Sequence, residues 1–211
     1  FYKTESEFAI LANGCYVPMR NYEKATHWVI SELISDDGEK QYNSTTGEPY
    51  RGIIDQLNLT ADNQMYADFW DFSYNGIARC NKLLTELGQH EVIWSTPSVE
   101  DRCYGEAYFL RALYYFNLVR QFGGVPLVLR PITSQESVGI KRTTQDVVYD
   151  SIIADLNNAV DRFSKATDVE EKGRANQSAA QALLAKVYLT LHQYDQTVTT
   201  LTPLISSQKY H

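Results

Sequence analysis

The chain has few residues of the kinds that bind metals or form cross-links. Its three cysteines lie far apart and outside any C-x-x-C pair, so neither a disulfide framework nor a zinc site is implied, and we expect all three to be buried. The four histidines are scattered without ligand spacing, and we expect no metal site. These residues are Cys15, Cys80, Cys103, His27, His90, His192 and His211.

Clustered positive charge and long apolar runs are also missing. Lysine and arginine number 19 against 26 aspartate and glutamate residues, which gives a net charge of −7 and a pI near 5.1. Nucleic acids and anionic membrane surfaces attract proteins through clustered cations, so neither is expected as the main partner. No apolar run approaches the ~18 residues of a membrane-spanning helix, and the first residues are not typical of a signal peptide.

The familiar catalytic signatures are absent as well. The sequence has no G-x-S-x-G, P-loop, dinucleotide-binding glycine motif or H-E-x-x-H. Paired carboxylates such as Asp36 and Asp37 are sequence neighbours, whereas the two acids of a glycosidase must flank a bond from opposite sides. We therefore predict a protein that is not an enzyme and that needs no cofactor.

The sequence does contain a succession of amphipathic segments, and it predicts an all-α fold. Thr4 and Glu7 match a capping box at the start of the first helix, and apolar residues then recur at helical spacing in seven segments that end near residue 205. Residues 35–60 lose this period, collect glycine, proline and small polar residues, and are predicted to be one long loop. The predicted N-caps of the later helices are Ser98, Thr143, and Asn176 or Ser178.

An internal repeat relates two of the predicted helices. The pattern L-x-A-x-x-Y-x-x-L occurs at residues 110–118 and again at 183–191, an offset of 73 residues. This offset is close to two tetratricopeptide periods of ~34 residues plus an insertion. Chance similarity between two amphipathic helices is the alternative, and either interpretation predicts antiparallel helical pairs. The first copy matches the second at Leu183, Ala185, Tyr188 and Leu191. The residues of the first copy are predicted to be core: Leu110, Ala112, Tyr115 and Leu118.

Four sequence blocks carry a family resemblance. They are W-x-x-x-Y-x-x-I-x-R-x-N (70–81), G-E-A-x-F-L-R-A-x-x-Y-F-x-L-V-R-x-F-G-G-V-P-L (105–127), V-Y-x-x-I-I-x-D-L-x-x-A (148–159) and G-R-A-x-x-x-A-A-x-A-L-L-A-x-V-Y-L (173–189). In this order and spacing they resemble the SusD/RagB family of outer-membrane nutrient-binding lipoproteins, over roughly residues 62–205. Two positions depart from the family pattern: Gly124 replaces an aspartate and Thr197 an alanine.

The resemblance implies a single helical domain over residues 1–211, with tetratricopeptide-like helix pairs at about 62–205. Arg111 and Glu106, about a turn apart in the second block, are expected to pair with each other or to bind backbone groups of a neighbouring helix. The resemblance also implies that the family fold continues through a long irregular second half, which supplies much of the ligand pocket. The lipid-bearing cysteine of the family is not Cys15, which lies within the first helix.

The function implied by the resemblance is capture of oligosaccharide or polysaccharide at the cell surface. The implied partner is a SusC-like TonB-dependent transporter, and the implied location is the outer membrane, through an N-terminal lipid anchor not present in this sequence. Sugars are held by aromatic faces and by planar polar groups, which the predicted loop supplies. An ordinary packed Ω-type loop is the alternative there, and a tetratricopeptide-like interaction scaffold without glycan binding is the alternative function. The candidate ligand-binding residues are Asp37, Tyr42, Asn43, Tyr50 and Arg51.

Overall fold

Helices are the regular elements of this protein. The computed structural model describes residues 2–21, 28–35, 37–39, 49–58, 60, 62–89, 92, 94–166 and 172–208, and no strand occurs among them, so the predicted all-α class is confirmed. The helices of these described ranges are α1 (Glu5–Asn21), α2 (Trp28–Leu33), α3 (Pro49–Asp55), α4 (Gln64–Gln89), α5 (Pro97–Phe122), α6 (Ser134–Ser137), α7 (Gln145–Lys165), α8 (Gln177–Thr190) and α9 (Tyr194–Ser206).

The chain divides into two compact units. Unit 1 comprises Phe1–Cys15 and Ile77–His211, and unit 2 comprises Tyr16–Gly76. Within unit 1, α7 packs against both α5 and α8, and α9 packs against α8. This succession of neighbouring helices is the packing expected of tetratricopeptide-like pairs. Within unit 2, α2 packs against α3.

The core of unit 1 is centred on α5. Leu110, Ala112, Tyr115 and Leu118, the first copy of the repeat, are all buried, as predicted for core positions. Small residues let the neighbouring helix approach closely: a Cβ atom built on Gly105 would lie only 2.8 Å from ring carbons of Phe163 on α7. Burying each large apolar side chain contributes about 1.5–3 kcal/mol, which is why the period-3.6 pattern predicted these helices well.

Several helix starts agree with the sequence and two do not. The Thr4 amide donates to Glu7 Oε2 (2.9 Å) and the Glu7 amide donates to Thr4 Oγ1 (3.4 Å), which confirms the predicted capping box. Asn176 Oδ1 accepts from the Ala179 amide (2.9 Å), so Asn176 caps α8. The predicted caps at Ser98 and Thr143 are wrong, because the N-caps of α5 and α7 are Thr96 and Thr144.

The physical reasons for the two wrong caps are visible in the neighbouring residues. Pro97 occupies the first turn of α5, where its fixed φ suits a helix start and no backbone N–H is needed. The Thr143 amide instead donates to the carbonyl oxygen of Val125 (3.0 Å), which ties Thr143 to the non-helical segment after α5. Helix α7 therefore begins one residue later than predicted.

The predicted loop at 35–60 contains a helix, so that prediction was wrong in part. Helix α3 begins at Pro49, which is preset for a first helical turn. Gly52 within it lowers the helical propensity and obscures the pattern. The helix ends when Leu57 adopts a φ of 54°. The Leu57 amide then donates to Ile54 O (2.9 Å) and the Asn58 amide to Ile53 O (3.1 Å), which is a Schellman motif without its usual glycine.

Candidate ligand-binding site

A cavity of about 590 Å³ lies in unit 2, where α2 and α3 end. Its volume is within the range of small-molecule sites. Two of its walls are aliphatic side chains, and the rest are a hydroxyl, a glycine and two carboxylates. The lining residues are Ile34, Ser35, Gly38, Glu39, Asp55 and Leu57. The arrangement offers apolar surface and hydrogen-bond acceptors to one bound molecule. We refer to it below as the α2–α3 cavity.

The turn after α2 shapes one side of the cavity. Ser35 Oγ donates to the carbonyl oxygen of Glu32 (2.7 Å), and the Asp37 amide donates to Ser35 Oγ (3.3 Å). A Cβ atom on Gly38 would approach the same Glu32 carbonyl to 3.1 Å, so a small residue keeps this turn tight. These bonds close the turn locally and place Gly38 and Glu39 at the cavity wall.

The end of α3 shapes the opposite side. Asp55 lies in the last turn of the helix, and the Schellman motif then directs Leu57 outward, leaving 66% of its surface exposed. A leucine with positive φ is strained by roughly 1–2 kcal/mol relative to the right-handed region. Glycine at this position would not be strained in this way. The protein therefore has the Leu57 side chain beside the cavity although leucine makes this backbone conformation less favourable.

The structure places three of the five predicted ligand-binding residues. Asp37 is exposed and lies between the lining residues Ser35 and Gly38, and Arg51 is half-buried on α3. Tyr50 also lies on α3. Tyr42 and Asn43 lie outside the described residues. None of the six residues that line the cavity was predicted from the sequence.

A second cavity, of about 520 Å³, lies between α8 and α9 in unit 1. Its polar end is Arg174, whose Nη1 donates to both carboxylate oxygens of Glu106 (3.0 and 3.1 Å) and whose Nη2 donates to Asn13 Oδ1. Glu106 is fully buried, so Arg174 is primarily a structural anchor. The other lining residues are Asn176, Ser178, Ala179, Ala182, Leu204 and Ile205.

Arg111 belongs to a buried polar network and does not pair with Glu106. Its Nε and Nη2 donate to the two carboxylate oxygens of Asp155 (2.7 Å each), and its Nη1 donates to Asn81 Oδ1 (2.8 Å) and Leu129 O (3.2 Å). The expected Arg111–Glu106 pair is therefore wrong. Arg111 does bind a backbone group, the Leu129 carbonyl, but this group lies in a non-helical segment and not in a neighbouring helix as the alternative expected. Burial raises the pKa of the Asp155 carboxyl, and the Arg111 guanidinium opposes that rise.

The same network holds the non-helical segment 125–133 against the helices. Asn81 Nδ2 donates to Val128 O (2.8 Å) and to Arg130 O (3.3 Å). Tyr115 Oη donates to Val128 O (2.9 Å) and accepts from the Val128 amide (2.7 Å). Side chains of α4 and α5 thus replace the backbone partners that an isolated extended segment lacks. This network is a structural element of unit 1.

Two further observations concern metal binding and membrane crossing. Among the residues that the structure describes, no group of three or more histidine, cysteine or acidic side chains is arranged to hold a metal ion. None of the helices in the described ranges is long and apolar enough to cross a bilayer.

Comparison with known proteins gives one consistent result. A family model described as "Starch-binding associating with outer membrane" (SusD-like) matches residues 5–189. A SusD-like protein of Formosa agariphila is 28% identical, with 90% of this chain and 37% of that protein covered. A SusD-like protein of Bacteroides ovatus is 29% identical, with coverages of 82% and 35%.

Solved structures agree with the sequence relatives. A laminarin-binding SusD-like protein superposes with a TM-score of 0.82 at 31% identity, covering 95% of this chain and 43% of that one. A SusD superfamily protein of Parabacteroides distasonis gives a TM-score of 0.79 at 25% identity, with coverages of 97% and 45%. The chain spans less than half the length of each of these proteins.

Proposed function

Because the chain belongs to the SusD-like family of starch-binding proteins associated with the outer membrane, we propose that it is a non-catalytic protein that captures glycan there. The match of the family model over residues 5–189 is the observation that carries this proposal. The similar structure described as laminarin binding supports a polysaccharide or oligosaccharide ligand. The α2–α3 cavity is the proposed place of contact in this part of the protein.

The chemistry of the α2–α3 cavity suits a sugar. A pyranose ring presents apolar C–H faces and a rim of hydroxyl groups. Ile34 and Leu57 offer aliphatic surface for the faces, and Ser35, Glu39 and Asp55 offer hydrogen-bond partners for the hydroxyls. Charge-assisted hydrogen bonds from sugar hydroxyls to carboxylates are roughly twice as strong as neutral ones.

The residues predicted from the sequence remain part of this proposal. Asp37 lies between two lining residues in the sequence and Arg51 lies on α3, while Tyr42, Asn43 and Tyr50 belong to the intervening segment. The double variant Tyr42→Ala/Tyr50→Ala is expected to weaken glycan binding while the far-ultraviolet circular dichroism of the protein stays unchanged. Undiminished affinity would remove these aromatic residues from the site.

The first test is affinity electrophoresis of the intact protein in gels that contain soluble polysaccharides, with a non-binding protein as mobility standard. We expect retardation by at least one glycan of a panel that includes laminarin and starch. The Leu57→Gly variant should lose retardation, because the cavity loses an apolar wall, yet remain as stable as the parent because backbone strain is relieved.

His192→Gly is the matched control for Leu57→Gly. His192 ends α8 in the same Schellman geometry, with a φ of 58°, and the Gln193 amide donates to Tyr188 O (2.9 Å). The substitution relieves the same strain at a position outside the α2–α3 cavity, so it should leave retardation unchanged. Equal retardation of the parent and both variants would remove the α2–α3 cavity from the proposal.

We further propose that the intact protein is lipid-anchored at the cell surface and delivers its ligand to a SusC-like TonB-dependent transporter. The family description, which associates the family with the outer membrane, supports the location. Co-purification of a transporter of this class from detergent-solubilised outer membranes would support the partnership. Repeated recovery of the protein without any such transporter would count against it.

One observation favours the alternative function, an interaction scaffold without glycan binding. Helix α9 has no buried side chain, and Tyr194, Val198 and Ile205 on it are exposed by 59%, 64% and 73%. Such a surface suits contact with another protein segment. Under this alternative, Val198→Glu/Ile205→Glu should abolish transporter co-purification, and no glycan should retard the protein. Retardation by a glycan would exclude the alternative as stated.

A further inference from the structure

Charge is distributed very unequally between the two units. Unit 2 (Tyr16–Gly76) contains ten aspartate and glutamate residues and four lysine and arginine residues, a net charge of −6. The remaining residues, which form unit 1, contain sixteen aspartate and glutamate residues and fifteen lysine and arginine residues, a net charge of −1. Nearly all of the net charge of −7 therefore lies in the unit that contains the α2–α3 cavity. A concentrated negative field of this kind repels anionic ligands before they make contact.

The α2–α3 cavity concentrates this negative charge further. Glu39 and Asp55 line it from opposite sides, and exposed Asp37 lies between two lining residues. No lysine or arginine is among the residues that line it in the described part of the chain.

We propose that the α2–α3 cavity selects uncharged glycans and rejects those that carry sulfate or uronate groups, with Glu39 and Asp55 as the specificity-determining residues. This proposal rests on the proposed glycan-binding function and adds the ligand class. An uncharged sugar can donate its hydroxyl hydrogens to these carboxylates. A sulfate or uronate group presents hydrogen-bond acceptors where the uncharged sugar presents donors. The carboxylates would therefore repel it, and the facing oxygen atoms of both groups would lack a hydrogen-bond donor.

The size of the effect follows from Coulomb's law. One sulfate about 8 Å from one carboxylate, at an effective dielectric constant between those of a protein surface and of water, is repelled enough to weaken binding about fivefold. Two lining carboxylates should therefore give a discrimination of roughly 25-fold at low salt. Screening shortens the range of these charges to about 8 Å at physiological ionic strength, so added salt should reduce the discrimination.

The experiment compares a neutral glycan that retards the intact protein with the same glycan after chemical sulfation. Dissociation constants are measured by isothermal titration calorimetry for the parent protein, Glu39→Gln and Asp55→Asn. For the parent protein, we expect the dissociation constant of the sulfated probe to be at least tenfold higher than that of the neutral probe. Glu39→Gln and Asp55→Asn should each reduce this ratio, the gap between the two probes, by about fivefold. Asp71→Asn removes an exposed carboxylate of unit 2 that does not line the cavity and should leave the gap unchanged.

The possible outcomes separate this proposal from the proposed function. Equal binding of the neutral and sulfated probes would overturn the proposed selectivity while glycan capture stands. So would a ratio of the two dissociation constants that is the same in the parent and in all three variants. Retardation by sulfated or uronate polysaccharides alone would overturn it as well. Failure of every glycan, neutral or charged, to bind would overturn the proposed function itself.

Discussion

Replacing Arg111 by methionine is expected to destabilise unit 1 by about 3–5 kcal/mol. The guanidinium is buried, and it carries both hydrogen bonds to the carboxylate of Asp155, which is also buried. Removing one partner of such a pair leaves the other charge in a low-dielectric interior without compensation. The substitution also leaves Asn81 Oδ1 and Leu129 O without this donor, so the cost should fall in the upper part of the range.

A double-mutant cycle separates the ion pair from the rest of the network. Asp155→Leu keeps the shape of the aspartate side chain and removes its charge, so alone it should cost about 3–5 kcal/mol by leaving Arg111 uncompensated. The double variant removes both charges and should cost little more than either single change. We therefore expect a coupling energy of at least about 2 kcal/mol.

Urea unfolding followed by circular dichroism at 222 nm measures these free energies. Lys165→Met, which breaks an exposed pair with Asp161 on the surface of α7, is the control and should unfold like the parent. Additive effects of Arg111→Met and Asp155→Leu would contradict this prediction, because they would mean that the two buried charges do not stabilise each other.

Three further predictions concern individual side chains. Burial raises the pKa of Cys103 to about 12, and all three cysteines are buried, so a thiol reagent at pH 8 should label none of them in the native protein and all three in urea. A side chain on Gly124 would overlap the Thr143 carbonyl oxygen, so Gly124→Ala should lower the free energy of unfolding by about 1–3 kcal/mol, measured by thermal unfolding. A Cβ atom on Gly88 meets no neighbour within 4 Å, so the control Gly88→Ala should not lower it. Hydrogen bonds from Arg130 and Thr133 lower the pKa of the Glu136 carboxyl to about 2. The stabilising contribution of Glu136 should therefore be present above pH 4.5 and be lost as the pH falls toward 2. A carboxyl NMR titration should show this low pKa, and Arg130→Gln should raise it toward the ordinary value of a glutamate.

The regular part of the fold was predictable from the sequence because it depends on periodic burial. The stripe through Leu110 and Leu118 predicted α5, and Asn176 predicted the start of α8 through one local hydrogen bond. Pro97 was a local signal for the start of α5, and the prediction of a Ser98 cap overlooked it. The exact start of α7 was not predictable, because it depends on the hydrogen bond between the Thr143 amide and the Val125 carbonyl. Long-range contacts fix such details, and a local pattern does not contain them.

The candidate site was only partly predictable. Composition marked the segment around Asp37 and Arg51 as unusual, but the cavity depends on how two short helices end. Leu57 adopts positive φ where glycine is the usual residue, so no residue type in the sequence indicated the Schellman motif. The partners of Arg111 were likewise hidden, because Asp155 lies 44 residues away in the chain.

Hydrogen–deuterium exchange of the intact protein, measured with and without a glycan that retards it, would show where on the protein the glycan binds. We predict slower exchange on glycan binding in peptides that cover residues 34–39 and 55–58, the two sides of the α2–α3 cavity. The peptides of the α8–α9 cavity, residues 174–182 and 201–206, should be unchanged. Slower exchange at the α8–α9 peptides, with none at 34–39 or 55–58, would contradict the assignment of the α2–α3 cavity as a glycan site.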